Sequence, residues 1–348
     1  MHFAWSISLA ALIVGFTVGM TGMGGGALMT PVLILIFHKV PSAAVSSDLV
    51  AAMVMKPIGS SVHMRRGTVQ WDLVRLLCIG SIPAAASGVF VLRALGQDSE
   101  NVQDTIKVIL GITLMIAAAA MVFKAWLQGR RAARERRGIR GSVRTATPRP
   151  ALTILVGAIG GLLVGLTSVG SGSIIIVSLM LLYPKLRGAE LVGTDLVQAV
   201  PLVASAAITH ILFGDFELGL TSSVLLGAMP GVYLGARVSS KAPDGVIRPA
   251  LVYVLLASSL KLLNVSTVAL AVFLVAFALV ALPVWGAIDA AGRPERHWNE
   301  AGLDRGLWVN LQVAGAPFGV GFAAAVAYFA SARRRLEAAQ ARVEDPAA

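Results

Sequence analysis

The sequence predicts an all-α polytopic membrane protein. It should hold two tandem homologous repeats of about four transmembrane helices, each opening on a glycine-broken helix, plus two extra C-terminal helices. Three observations lead there. Of the 348 residues, 56% are hydrophobic and 14% charged, whereas a soluble domain averages about 25% charged. Apolar runs long enough for a ~30 Å hydrocarbon core recur along the chain, and they are continuous rather than alternating, which excludes a barrel. Finally, one unit is used twice. Gly15, Gly19, Thr21, Gly24 and Gly26 return as Gly161, Gly165, Thr167, Gly170 and Gly172, each 146 positions later (15 to 161).

The duplication extends past the glycines. After a one-residue shift, Asp48-Leu49-Val50 matches Asp195-Leu196-Val197. His63 matches His210, Pro83 matches Pro230, and Gly88 matches Gly235. Apolar composition alone does not place identical intramembrane acids, histidines and prolines at one fixed offset.

Taken in order, the apolar segments fall at about 3–37, 43–64, 69–93, 104–127, 151–183, 190–213, 217–236, 246–264, 266–290 and 307–331. The first and fifth are roughly 35 and 33 residues long, against the ~20 of a straight crossing. Each holds a glycine cluster and reads as a broken helix. Its second half either continues across or turns back as a re-entrant hairpin. Counted as single crossings, the segments give parallel repeats, with the N- and C-termini both cytoplasmic in a bacterial inner membrane. The domain boundaries follow: a first repeat at 1–127, a basic cytoplasmic linker at 128–150, a second repeat at 151–264, two added helices at 265–331, and a cytoplasmic tail at 332–348. In this count Lys39, Lys185, Arg187, Arg237 and Lys241 fall on the outer side, against the trend.

The net charge of +11 is concentrated in that linker. Residues 128–149 carry eight arginines and one glutamate. A basic run between membrane segments is what the positive-inside rule predicts. It would touch anionic lipid headgroups; a nucleic-acid role is not expected. The lone Cys78 leaves no disulfide and no thiol metal cluster. Five scattered histidines suggest no metal site, and no cofactor motif or nucleophile grouping points to an enzyme. A homo-oligomer is compatible with all of this.

The candidate substrate-binding residues are Gly24, Gly25, Gly26, Lys56, Gly170, Ser171 and Gly172. Closely spaced residues without bulky side chains unwind a helix, and the freed backbone N–H groups need a partner in hydrocarbon. Such breaks at matching places in two repeats point to a transporter's binding site. A charge at the bilayer centre costs at least ~2.5–3.5 kcal/mol. Lys56 is therefore either an anion-attracting charge, a structural ion pair, or a snorkelling side chain. Its counterpart in the second half is Val203. Asp48 and Asp195 read either as helix caps or as proton-coupling groups. His63 and His210 read either as structural or as proton relays.

The run GxxxGxxGxGGGxLMTPxLI, followed by SSDLVAAMVMKPIGSSVHMRRGTVQWDLV, resembles the sulfite exporter TauE/SafE family. So does GTDLVQAVPLVASAAITHILFGDFELGLTSSVLLGAMPGVYLGARVS in the second half. The resemblance covers about residues 5–264. It implies a secondary transporter of sulfur-containing anions such as sulfite and sulfonates. It also implies that Asp48, Lys56, His63, Trp71, Asp195, His210, Pro230 and Gly231 occupy positions the family fills that way. Ser46-Ser47 stands where Gly-Thr is usual, Gln70 where an acid is common, and Gln198 where a histidine is common. The alternative is a non-transporting membrane scaffold that docks a partner protein through the extra C-terminal helices.

Overall fold

The structure is a computed structural model. It describes residues 4–21, 26–94, 100–136, 149–184, 186, 188–238, 244–315 and 320–344. These residues are almost wholly helical, and six helices are long and apolar enough to cross a membrane. The chain forms two compact units, one from the first 265 residues except the short stretch 131–137, the other from that stretch and residues 266–348.

In the first unit the helices are α1 (Trp5–Thr21), α2 (Gly26–Leu35), α3 (Pro41–Arg65), α4 (Trp71–Ala94) and α5 (Glu100–Arg136), then α6 (Pro150–Thr167), α7 (Ile174–Leu182), α8 (Gly188–Phe213), α9 (Leu218–Val238) and α10 (Asp244–Leu262). Both long apolar segments are broken, as the glycine clusters require. Helix α5 runs to Arg136, past the expected linker boundary at 128.

Close-packing glycines set the register. On α6, Gly157 faces Leu77, Gly161 faces Ser81 and Gly165 faces Ala85 of α4; added Cβ atoms would lie 2.3–2.4 Å from those carbonyls. The residue numbers climb together, so α4 and α6 are parallel. Gly227, Gly231 and Gly235 of α9 face Ser8, Leu12 and Phe16 of α1 in the same manner, so that pair is parallel too. Small residues of this kind let helix backbones approach without side chains between them. The two contacts also correspond: Gly161 abuts Ser81, and Gly15 abuts Ala228, the residue 147 positions after Ser81 (81 to 228).

Helix direction answers the question the sequence left open. Gly160 of α6 meets Ile175 of α7, and Thr153 near the start of α6 is 2.5 Å from the Tyr183 hydroxyl at the end of α7. The pairs run in opposite order, so α6 and α7 form a re-entrant hairpin. Helices α3 and α8 are also antiparallel: Ser46 pairs with His210 and His63 lies against Gly193. The start of α6 defines one face of the unit, the linker face. Helices α4, α6 and α8 start there. Helices α3, α5 and α9 start at the far face, where Ser42 bonds Asp215 and Gln103 and Lys39 meets Glu217 at 3.9 Å. Being parallel to α9, α1 also starts at the far face. So α1 and α6 point in opposite directions. The single-crossing count, with parallel copies and the N-terminus on the linker side, does not describe this packing, because the hairpin returns the chain to the face it left.

The second unit holds α11 (Thr267–Gly292), α12 (Glu295–Glu300), α13 (Arg305–Gly315), α14 (Val320–Ala327), a π-helical turn at Tyr328–Ala332 and α15 (Arg333–Glu344). The segment expected as one crossing at 307–331 is instead a second helical hairpin. Trp308 of α13 lies beside Tyr328, ring centroids 6.0 Å apart and planes tilted by 55°, and Gly315 abuts Gly321, again in opposite order. The expected pair of added crossings is thus one long helix and a hairpin packed on it. Pro317 lies outside the described residues. Tyr328 donates to Asp289 at 2.6 Å, Arg293 ties Asp289 to Glu337, and Trp298 and Leu336 fill the core.

Candidate functional site

The site forms where the two broken segments meet α3 and α8. The helix of α6 stops at Thr167 because Ser168 adopts a left-handed conformation with φ 60. Gly170 and Gly172 follow with φ 133 and 92, a region L side chains rarely enter. The chain can therefore turn within six residues and restart as α7 at Ile174. In the other half, Gly26 opens α2 and packs on this turn; an added Cβ would lie 1.9 Å from the Ser168 carbonyl oxygen. Gly24 and Gly25 lie outside the described residues.

Lys56 reaches this turn from α3. Its ammonium donates to the Ser171 hydroxyl at 2.5 Å. Among the described residues its bonded partner is that hydroxyl and not a carboxylate, so a tight structural ion pair is not what holds it. It does feel the charges of both Asp195 and Asp48.

Asp48 and Asp195 are 0% and 1% exposed. Each sits two turns inside its helix, α3 or α8, which removes the capping reading. Thr30 of α2 donates to Asp48 Oδ2 at 2.8 Å, and the Ser168 hydroxyl lies close by. The Gly172 backbone N–H bonds the Asp195 carboxylate. In both acids the other oxygen, Oδ1, is buried without a hydrogen-bond partner. Because α3 and α8 are antiparallel, Asp48 lies toward the far face and Asp195 toward the linker face. Lys56 lies between them, about 12 Å along α3 from Asp48 at 1.5 Å per residue.

The histidines mark the two ends of the α3–α8 contact. His210 Nε2 is 2.8 Å from the Gly165 carbonyl, so it donates. Nδ1 then accepts from Ser46 at 2.9 Å. Both ring nitrogens are engaged, which fits a packing role. His63 Nδ1 pairs with Thr68 at 3.0 Å and its ring lies against Gly193. The residues that depart from the family pattern are used: Ser46 binds His210, Gln198 donates to Ser81 at 2.7 Å, and the Gln70 backbone N–H donates to Thr194 at 3.1 Å.

Lys124 of α5 was not singled out in the sequence, yet its charge acts on Asp195. It sits near the end of an apolar helix and has no counterpart motif, so only the fold brings it into view. At the far-face mouth, Gln103, Asp104, Lys107, Asp215 and Glu217 line a cavity of about 710 Å3.

Buried charge on antiparallel helices, beside a broken hairpin, is the build of a membrane transporter. Residues 7–262 match the family described as Sulfite exporter TauE/SafE. The chain belongs to that family. Relatives include the Probable membrane transporter protein YjnA of Bacillus subtilis, 36% identical over 74% of this chain and 99% of that protein. The Probable membrane transporter protein YdhB of the same organism is 25% identical over 70% and 94%. No solved structure matches. The protein is thus a multi-pass membrane transporter with a small-molecule substrate, and the family match ends before α11.

Proposed function

We propose that the protein is a secondary transporter of small anions, most specifically sulfite, organosulfonates or related sulfur oxyanions, coupled to protons. The observation that carries this is Lys56. An ammonium in the core of a membrane unit, bonded among the described residues to a serine hydroxyl at a hairpin tip, is available to a ligand of opposite charge. Ser171, Gly170, Gly172 and Gly26 leave room around it, and the sequence of the first half repeats the glycine cluster with Gly24 and Gly25. The family's name and the matched motif favour sulfur oxyanions.

The two halves are read as inverted copies of one ancestral unit. Helices α1 and α6 run in opposite directions, and the α4–α6 contacts have their counterparts in α9–α1. Inverted repeats around a central site suit alternating access. With the linker face in the cytoplasm, Arg65, Arg66, Arg149 and Arg237 all lie inside, on the side of the basic linker. This agrees with the positive-inside rule better than the single-crossing count. It places the start of α1 outside, with the linker arginines near anionic headgroups of the inner membrane.

A second reading rests on the separate unit formed by α11–α15, which lies beyond the family match. In that reading the unit docks a partner protein.

The test is uptake by proteoliposomes of sulfite, thiosulfate, isethionate, sulfoacetate, sulfate and chloride, with and without a proton gradient. Saturable flux of a sulfur anion, stimulated by the gradient, supports the transporter. Flux of chloride alone, or of none of the panel, overturns the substrate class.

A further inference from the structure

The central charges do not balance for an anion. Lys56 carries one positive charge. Asp48 and Asp195 carry two negative charges when ionised. An arriving anion would therefore meet no net positive charge there, even with Lys124 counted. Uncompensated charge in a membrane interior costs several kcal/mol, so this arrangement cannot hold an anion while both acids are ionised. Lys124 adds a positive charge toward Asp195 from α5, weaker there than that of Lys56.

The hydrogen bonding gives the same message independently. A buried carboxylate needs donors on both oxygens. Asp48 has Thr30 on Oδ2 and the Ser168 hydroxyl near its carboxyl, and Asp195 has the Gly172 N–H, yet Oδ1 of each makes no hydrogen bond among the described residues. The defect is the same in both halves. A proton on each bare oxygen removes the charge that oxygen cannot otherwise compensate.

We propose that Asp48 and Asp195 each take up one proton when an anion binds at Lys56, so that the site is loaded by two protons and one anion together. This rests on the anion-site reading above. Protonation of both acids removes both negative charges and leaves Lys56 as the charge closest to the anion, with Lys124 further off. The acids lie at different depths, Asp48 toward the far face and Asp195 toward the linker face, so each half supplies one proton site. The charged groups facing them are Lys56 for both and Lys124 for Asp195; the facing polar groups are Thr30, Ser168 and Gly172. Binding is then strongest where both acids are protonated and is lost as pH rises through their titration.

The test is calorimetric titration of the detergent-purified full chain with isethionate, sulfoacetate and thiosulfate in turn. Each is run in buffers of different ionisation enthalpy, which counts protons taken up per anion. These probes hold their charge across the neutral range, so the protons counted belong to the protein. Uptake of about two protons by wild type, about one by Asp48→Asn or Asp195→Asn, and none by the double variant is expected. Binding of any probe with no proton uptake by wild type overturns the proposal. So does a requirement for sodium in place of protons. Uptake of one proton, lost on changing one acid only, overturns the paired role. Failure of all three probes to bind fails the anion-site reading itself, a different result from binding without protons. The wild-type count stands even where a variant does not fold.

Discussion

Lys56 of α3 donates to Ser171 at the turn between α6 and α7, so a side chain from the first half holds the broken helix of the second. The converse contact does not exist in kind, because Val203 stands where α8 would need a lysine. The α3–α8 pair therefore carries one lysine at the site in an otherwise two-fold arrangement. Lys56→Ala should lower anion affinity at least about tenfold while the protein stays folded. Ser171→Ala removes one hydrogen bond to a charged group, worth about 1.5–3 kcal/mol at most, and should cost less than Lys56→Ala. Titration of both variants with isethionate checks the order.

Gly26 is where the two broken segments touch. Gly26→Ala places a methyl group 1.9 Å from the Ser168 carbonyl oxygen, so the two segments must separate. Transport should fall at least about tenfold. Gly188→Ala meets nothing within 4 Å and should leave flux unchanged. Uptake assays on matched expression levels separate the two.

Gly161 sits 2.4 Å, measured from an added Cβ, from the Ser81 carbonyl on α4. Gly161→Ala should destabilise the unit by about 1–3 kcal/mol through overpacking. Thermal unfolding followed by size exclusion in detergent would register it as a lowered midpoint. Gly15→Ala, against Ala228, should act alike.

The helix directions place Lys39 and Arg66 on opposite faces. In a Cys78→Ala background, Lys39→Cys should react with a membrane-impermeant maleimide added outside intact cells. Arg66→Cys should react only after the membrane is opened. Labelling of both from outside would contradict the passage of α3 from one face to the other.

Truncation after Val265 removes α11–α15 and leaves the whole family match. The shortened chain should retain flux within a few fold of the full chain. Loss of a binding partner on truncation, with flux retained, would assign the added unit to docking.

Much of the fold was legible because hydrophobic runs report membrane segments directly, and the glycine clusters report where two of them break. Lys56, Asp48 and Asp195 stood out in the sequence because charge is rare and costly there, and the structure buries both acids and brings their charges to Lys56. Direction was not. Periodicity is the same whether a helix after Gly172 continues or turns back, and the two contacts Gly160 with Ile175 and Thr153 with Tyr183 decide it. The hairpin of α13 and α14 was missed for the same reason. Lys124 was missed because a lysine near the end of an apolar helix reads as an interfacial anchor. Capping of α3 by Asp48 failed because the helix starts at Pro41, earlier than the apolar pattern.

The most direct measurement is gradient-driven uptake of the sulfur anions by proteoliposomes bearing wild type or Lys56→Ala, with folding of both confirmed by size exclusion. Saturable uptake of a sulfur anion by wild type, abolished in folded Lys56→Ala, is the result expected of an anion site at Lys56. Undiminished uptake by the folded Lys56→Ala variant would contradict it.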